Sequence, residues 1–451
     1  MIVIYLIFTL FEYIDAVRSP LVHPFDHTPL NQLSKRSRVE LTGNFKQCFA
    51  IQMTVEGVDM KLMVDSGTTD TGVATTRLSH YDGPAIKLDH VFGLRLNWMS
   101  YVDRSYWFGY AFNGRISIPG TTIWASQAPI TGITIQSTRP LFMSPNINGI
   151  LGISYPENAR YHGIHGSVID AFFNENTIDK NEVAIQMCSY SLTHDSYIDI
   201  GNKDIEPKCG TDGTPLIWIK SPSRKFITVT VLRITVDNQL VKLPKGFQRA
   251  KLFTLNQWSL FDVCSTHTQV PDTVFEALKK AIKTSKAILS HISDLGWEGF
   301  FCGKLNMPNT IKFDWKKFPT ISFTMESASS LDSATDTLPV VVTLSGMDYI
   351  QQNERGEYQF LIRGGYNRYV SFGISSFLRL KITIDRTNGN VGLGPGCNCE
   401  HSIDGYPALQ DPYGKIWRSP IAQASNDPLE STQNVPQSQA ASSSTSEHDY
   451  T

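Results

Sequence analysis

Leu62-Met63-Val64-Asp65-Ser66-Gly67-Thr68-Thr69 sets an acid between an apolar run and a turn rich in glycine and hydroxyls. Three consecutive apolar residues read as the end of a buried strand. Gly67 permits a tight backbone reversal that a Cβ would hinder. Ser66, Thr68 and Thr69 carry hydroxyls that can hydrogen-bond a carboxylate and the turn amides. An ionised acid is costly to bury without such donors. The same residues also suit an ordinary turn after a strand, and alone they do not separate the two readings.

A second acid changes the balance. Leu260-Phe261-Asp262-Val263-Cys264-Ser265-Thr266 repeats the pattern of apolar pair, Asp, small residue and two hydroxyls. It lies 197 residues further on (262 − 65), which suits one copy per lobe of a bilobal enzyme. Two carboxylates brought side by side can share one proton, because both cannot ionise together. One then acts as general base on a water and the other as acid towards a carbonyl oxygen.

On these residues the chain resembles the pepsin-like aspartic proteases, and most closely their beta-secretase branch. Phe49-Ala50-Ile51-Gln52-Met53-Thr54-Val55 is similar to the first strand of the family's mature lobe. Gly149-Ile150-Leu151-Gly152-Ile153 resembles the segment that threads the first active-site loop, and Val370-Ser371-Phe372-Gly373 resembles its counterpart. Thr383-Ile384-Asp385-Arg386 and Asn390-Val391-Gly392-Leu393 are similar to the last strands, and Pro271 to Ile282 to the helix after the second loop. The resemblance runs from about Cys48 to Gly394 and implies an all-β, bilobal, pepsin-like acid protease fold with the site between pseudo-symmetric lobes.

The resemblance further implies Asp65 and Asp262 as catalytic acids, with Ser66, Gly67, Thr68, Ser265 and Thr266 supporting them. It implies a β-hairpin flap in the region Ser100 to Pro119. Tyr101 is the flap tyrosine, with Tyr106 as runner-up, and Trp107 matches a tryptophan that supports it. Gly109, Asn113 and Gly114 can provide turn geometry there. The substrate is an extended polypeptide; no cofactor is implied, and a monomer is expected. Two departures stand out. Arg104 replaces the usual flap glycine. Val263 and Cys264 replace the family's Thr or Ser and its Gly, so one hydroxyl that bridges the two loops is missing. The expected outcome is a weakened aspartic endopeptidase, or alternatively an inactive homologue that binds peptides. Changing Val263→Thr together with Cys264→Gly is expected to raise turnover.

The rest of the chain frames this domain. At 451 residues, 41% apolar and 18% charged, it can bury proper cores. A net charge of −2, with no basic run interleaved with aromatics, gives no nucleic-acid surface. No Cys/His spacing resembles a metal site. Ile2 to Phe11 is an apolar run too short to span a membrane, and fits a secretory leader over 1–18, cut near Ala16 or Ser19. A short pro-segment over 19–39, carrying Lys35-Arg36 and Arg38, would follow. The peptidase domain then covers 40–400, with lobes at about 40–205 and 206–400, and a disordered tail covers 401–451. No apolar run for a membrane anchor and no Asn-x-Ser/Thr acceptor is present. Secretion, or delivery to an endolysosomal lumen, is expected.

Seven cysteines in a secreted chain suggest disulfides with one left over. The resemblance pairs Cys188 with Cys397 or Cys399. Cys302 matches a family half-cystine whose partner position, near Glu357, holds no cysteine. Cys48, Cys209 and Cys264 match no family cysteine. Strand patterns include Val229 to Val236 and Ile321 to Met325. Helical patterns are few: Val168 to Phe173, Pro271 to Ile282 and Lys286 to Ile292.

Overall fold

The computed structural model describes residues 17–20, 48–89, 94–101, 105–137, 146–159, 166–188, 196–201, 216–249, 258–330, 337–353, 355–396, 399 and 402–421. All belong to one compact unit. The expected N-terminal boundaries at Lys35, Arg36 and Arg38, the lobe boundary at 205/206 and residues 422–451 lie outside the described residues.

The architecture is mostly strand, and it is built twice. In the first half, strand Val58–Asp65 pairs in parallel with Gly149–Gly152, which pairs antiparallel with Gly72–Ala74, which pairs in parallel with Trp124–Gln136. In the second half, Ser259–Phe261 pairs in parallel with Ser371–Phe372, which pairs antiparallel with Thr268–Gln269, which pairs in parallel with Ile362–Arg363. The same sequence of pairing directions follows each Asp. This is the bilobal all-β arrangement the sequence implies.

In the first half, Tyr106–Ser117 and Arg95–Ser100 extend the sheet, and Ala50–Val55 pairs with both Val58–Asp65 and Tyr106–Ser117, curling it on itself. The alternating burial of Ala50–Val55 places Ile51, Met53 and Val55 inward. The two halves meet in an antiparallel sheet ordered Val17–Pro20, Tyr197–Ile200, Glu182–Met187, Leu380–Asp385, Asn390–Pro395, Ile217–Lys220. The expected junction between leader and pro-segment falls inside Val17–Pro20, whose backbone pairs with Tyr197–Ile200.

Several local expectations change. The helix at Asp272–Ser285 buries Val274, Leu278 and Ile282, spaced one turn apart. It ends because Lys286 turns left-handed (φ 54°), so Lys286 to Ile292 is not helical. The next helix is Asp294–Phe301, capped by the Ser293 hydroxyl, which accepts from Gly296 N–H. The expected disordered tail is also corrected in part. Ala408–Gln410 pairs with Thr337–Leu344 and with Ile416–Arg418, because Ala408 and Leu409 bury their side chains on the sheet.

Candidate active site

Asp65 ends strand Val58–Asp65, and Asp262 follows Ser259–Phe261 directly. Each loop is threaded by the segment expected to do so. Ile153 N–H donates to Asp65 C=O (2.9 Å) and Ser154 N–H to Thr68 C=O (2.9 Å). In the second half Asp262 N–H donates to Phe372 C=O (2.9 Å) and Ile374 N–H to Ser265 C=O (2.8 Å). The glycines are required by close approach. A Cβ on Gly152 would come 2.4 Å from the Thr69 carbonyl carbon, and one on Gly373 would come 2.4 Å from His267 O.

The two carboxylates converge. A Cβ at Gly67 would stand 3.1 Å from Asp65 Oδ1 and 3.9 Å from Asp262 Oδ1. Gly67 does not adopt a left-handed φ, so its value is this space rather than an unusual dihedral. Its N–H donates to Asp65 Oδ1 (2.7 Å). Asp262 Oδ1 accepts two amides, Cys264 N–H and Ser265 N–H, both at 3.1 Å. Cys264 therefore keeps the amide contact of the glycine it replaces, and it too avoids positive φ.

Burial raises the pKa of both acids above the ordinary carboxylate range. For Asp65 the charge of Asp262 adds to burial, against one opposing amide at Gly67. For Asp262 the amides of Cys264 and Ser265 oppose burial. One more amide donor favours the charged form at Asp262 than at Asp65.

Ser66 locks the loops together. Its hydroxyl donates to Phe261 C=O (2.8 Å) and accepts from Val263 N–H (2.9 Å). The buried Val263 side chain brings no hydroxyl to return the contact. The remaining supports act differently from expectation. Thr68 Oγ1 accepts from Asp70 N–H (3.3 Å). Ser265 reaches Asp262 through its amide, while its hydroxyl donates to His267 C=O (3.1 Å). Thr266 is half-buried in the loop. Thr268, not singled out in the sequence, ties the loop to the threading segment. Its Oγ1 accepts Gly373 N–H (3.1 Å) and lies 2.9 and 2.6 Å from the Ser375 and Ser376 hydroxyls.

Tyr101 sits at the turn between Arg95–Ser100 and Tyr106–Ser117, where its N–H donates to Ser105 C=O (2.9 Å). Trp107 is fully buried and donates Nε1–H to Tyr101 Oη (3.1 Å). Tyr106 points outward against the edge of Phe108. Gly109, Asn113 and Gly114 do not form the turn: all three lie within the strand, with bulges at Gly109 and after Gly114. Gly109 is there because a Cβ would come 2.3 Å from Gly132 O. Arg104 lies outside the described residues.

Cys188 bonds to Cys399 (Cα–Cα 5.1 Å), which corrects the pairing with Cys397; Cys397 itself lies outside the described residues, as does Cys209. Cys302 is exposed and unpaired. The second bridge was not foreseen: Cys48 bonds to Cys264, with Cα atoms 4.5 Å apart. The signal was three cysteines, Cys48, Cys209 and Cys264, that the resemblance left without a counterpart, and it did not say which of them pair.

The family model described as "Eukaryotic aspartyl protease" matches residues 95–355, a span that contains Asp262 and begins after Asp65. No curated protein matches the chain.

Proposed function

Because the chain belongs to the eukaryotic aspartyl protease family, we propose that it is an endopeptidase in which Asp65 and Asp262 hydrolyse peptide bonds through an activated water. The observation that carries this reading is the convergence of two carboxylates, Asp65 buried and Asp262 partly buried, whose amide donors are unequal. Asp262, ionised, takes a proton from water. Asp65 gives its proton to the scissile carbonyl oxygen as the hydroxide adds to carbon. The proton on Asp262 then passes to the leaving amine as the C–N bond breaks, and one hydroxyl of the tetrahedral intermediate returns its proton to Asp65, which restores the starting dyad. Ser66 holds the loops in register, and Tyr101, braced by Trp107, covers an extended substrate.

The missing hydroxyl at Val263 favours a second reading, a homologue that binds peptides without cutting them. Both disulfides suit the oxidising secretory route, and among the described residues no helix is long and apolar enough to cross a membrane. The test is an assay of the purified protein on a mixed peptide library from about pH 3 to 7, with a pepstatin-type inhibitor. Cleavage that disappears in Asp65→Asn and in Asp262→Asn is expected. Tight inhibitor binding without any cleavage would establish the second reading, and cleavage by Asp65→Asn at the parent rate would overturn the dyad.

A further inference from the structure

We infer that the Cys48–Cys264 disulfide is a positioning device that takes over, covalently, the half of the interloop grip that Val263 cannot make. The inference rests on the dyad assigned above. Its premise is the internal duplication, in which Asp65, Ser66 and Gly67 correspond to Asp262, Val263 and Cys264. Ser66 reaches from the first loop to Phe261 C=O and Val263 N–H. A hydroxyl at 263 would make the reciprocal reach towards Val64 and Ser66. Nothing on the Val263 side chain can do so.

The disulfide crosses the same gap. Cys264 lies two residues after Asp262 and its N–H donates to Asp262 Oδ1 (3.1 Å). Its sulfur bonds to Cys48, 216 residues away in sequence. Cys48 precedes Phe49, whose C=O accepts from Val64 N–H (2.9 Å), and Val64 precedes Asp65. The bridge thus joins an amide donor of one catalytic acid to the strand beside the other. A bridge acting only on unfolded-state entropy would need neither end at the dyad.

The surroundings fit the role. Cys48 is buried with Ala50, Met63, Met99 and Trp107, and Tyr101 and Cys264 pack on that cluster. The bridge is therefore seated under the same side chains that brace the flap. Cys264→Gly, the change that would restore the family's residue, cuts this bridge. In the double change expected from sequence to raise turnover, Val263→Thr therefore acts in a protein that has lost the bridge.

The test is a cycle between bridge and hydroxyl. Cys48→Ala/Cys264→Ala should lower kcat by about 10- to 100-fold with KM changed less than ~3-fold, because orientation rather than peptide affinity is lost. Adding Val263→Thr should recover at least ~10-fold in that background and several-fold less in the intact protein, since the two devices hold the same gap. Equal gains in both backgrounds, or no loss on removing the bridge, would overturn the inference. Amide hydrogen exchange gives a readout independent of cleavage. Ser66–Thr68 amides, on the loop that carries no cysteine, should exchange faster without the bridge and recover with Val263→Thr. Cys188→Ala/Cys399→Ala should lower the melting temperature without that local effect. Should no variant cleave peptide, the dyad's activity fails while exchange still decides on the bridge: unchanged exchange at Ser66–Thr68 rejects it. Should the bridge-free variant not fold, Val263→Thr in the intact protein decides. A gain in kcat of ~10-fold or more there would mean the loop was never clamped.

Discussion

Asp65 and Asp262 occupy equivalent places, and what distinguishes them is the number of amides aimed at each: Gly67 alone at Asp65, Cys264 and Ser265 at Asp262. A consequence for stability follows. Burial, then the charge of Asp262, raises the Asp65 pKa above its unfolded value of 3.8. For an acid with a raised folded pKa, the folded state holds the proton more tightly, so stability is favoured at low pH and falls as pH rises through the window above 3.8. Asp65→Asn cannot ionise and should be more stable than the parent at neutral pH by on the order of 1–3 kcal/mol. The difference should vanish below about pH 4. Denaturant titrations at both pH values check this; a difference that grew on acidification would contradict the assigned shift. Val263 shows the limit of isosteric replacement: it fills the volume of Thr but leaves the grip one-sided.

At the scale of the element, the hairpin of Arg95–Ser100 and Tyr106–Ser117, the proposed flap, is stiffened from within. Trp107 is buried at its base and holds Tyr101 through one hydrogen bond. Gly109 admits the Gly132 backbone, and the bulge there tilts the strand. Tyr101→Phe and Trp107→Phe should each lower kcat/KM by about 2- to 10-fold, the worth of one neutral hydrogen bond. The double variant should be no worse than either single change, because one contact is lost once. Steady-state kinetics of the three variants decide; additive losses would place Tyr101 and Trp107 in separate roles. The helix Asp272–Ser285 shows how an element ends on a single dihedral, where Lys286 takes φ 54° and the apolar pattern beyond it is not helical.

For the whole molecule, the site exists because two halves are held in register by the shared sheet and by Arg386. The Arg386 guanidinium, fully buried, donates to both oxygens of Asp170 (2.7 and 2.9 Å), to Ser154 C=O (2.8 Å) and to Ser167 Oγ (2.9 Å). Burial alone would raise the Asp170 pKa, yet the charge and hydrogen bonds of Arg386 hold it below the ordinary value. Since Ser154 follows the segment that threads the Asp65 loop, this pair also anchors the site. Arg386→Ala strands a buried carboxylate and should cost about 3–5 kcal/mol. The folded Asp170 pKa is lowered, so this contribution is present above its unfolded pKa and lost as pH falls through the folded one. The deficit of Arg386→Ala should therefore shrink on acidification, measurable as a converging pair of melting temperatures. A pH-independent deficit would mean that packing, not the ion pair, is what Arg386 supplies.

Much of this protein was legible in its sequence because the information is local. An acid flanked by strand and turn residues, twice, with a Gly-ended segment after each, specifies the two Asp loops and the strands that thread them. Tyr101 and Trp107 are close in sequence, and their contact was legible for the same reason. The tertiary structure decided what depends on distant residues meeting. Cys48 meets Cys264 across 216 residues, and Arg386 meets Asp170 across 216 as well. Neither partner carries a local pattern that points to the other. It also decided the glycines at 109 and 152, whose need is a neighbouring backbone rather than a turn. The hairpin at Ala408–Arg418 forms because a sheet edge is there to receive it, although its own composition reads as polar tail. Local chemistry points to the two carboxylates proposed to react, and only long-range packing determines what holds them in place.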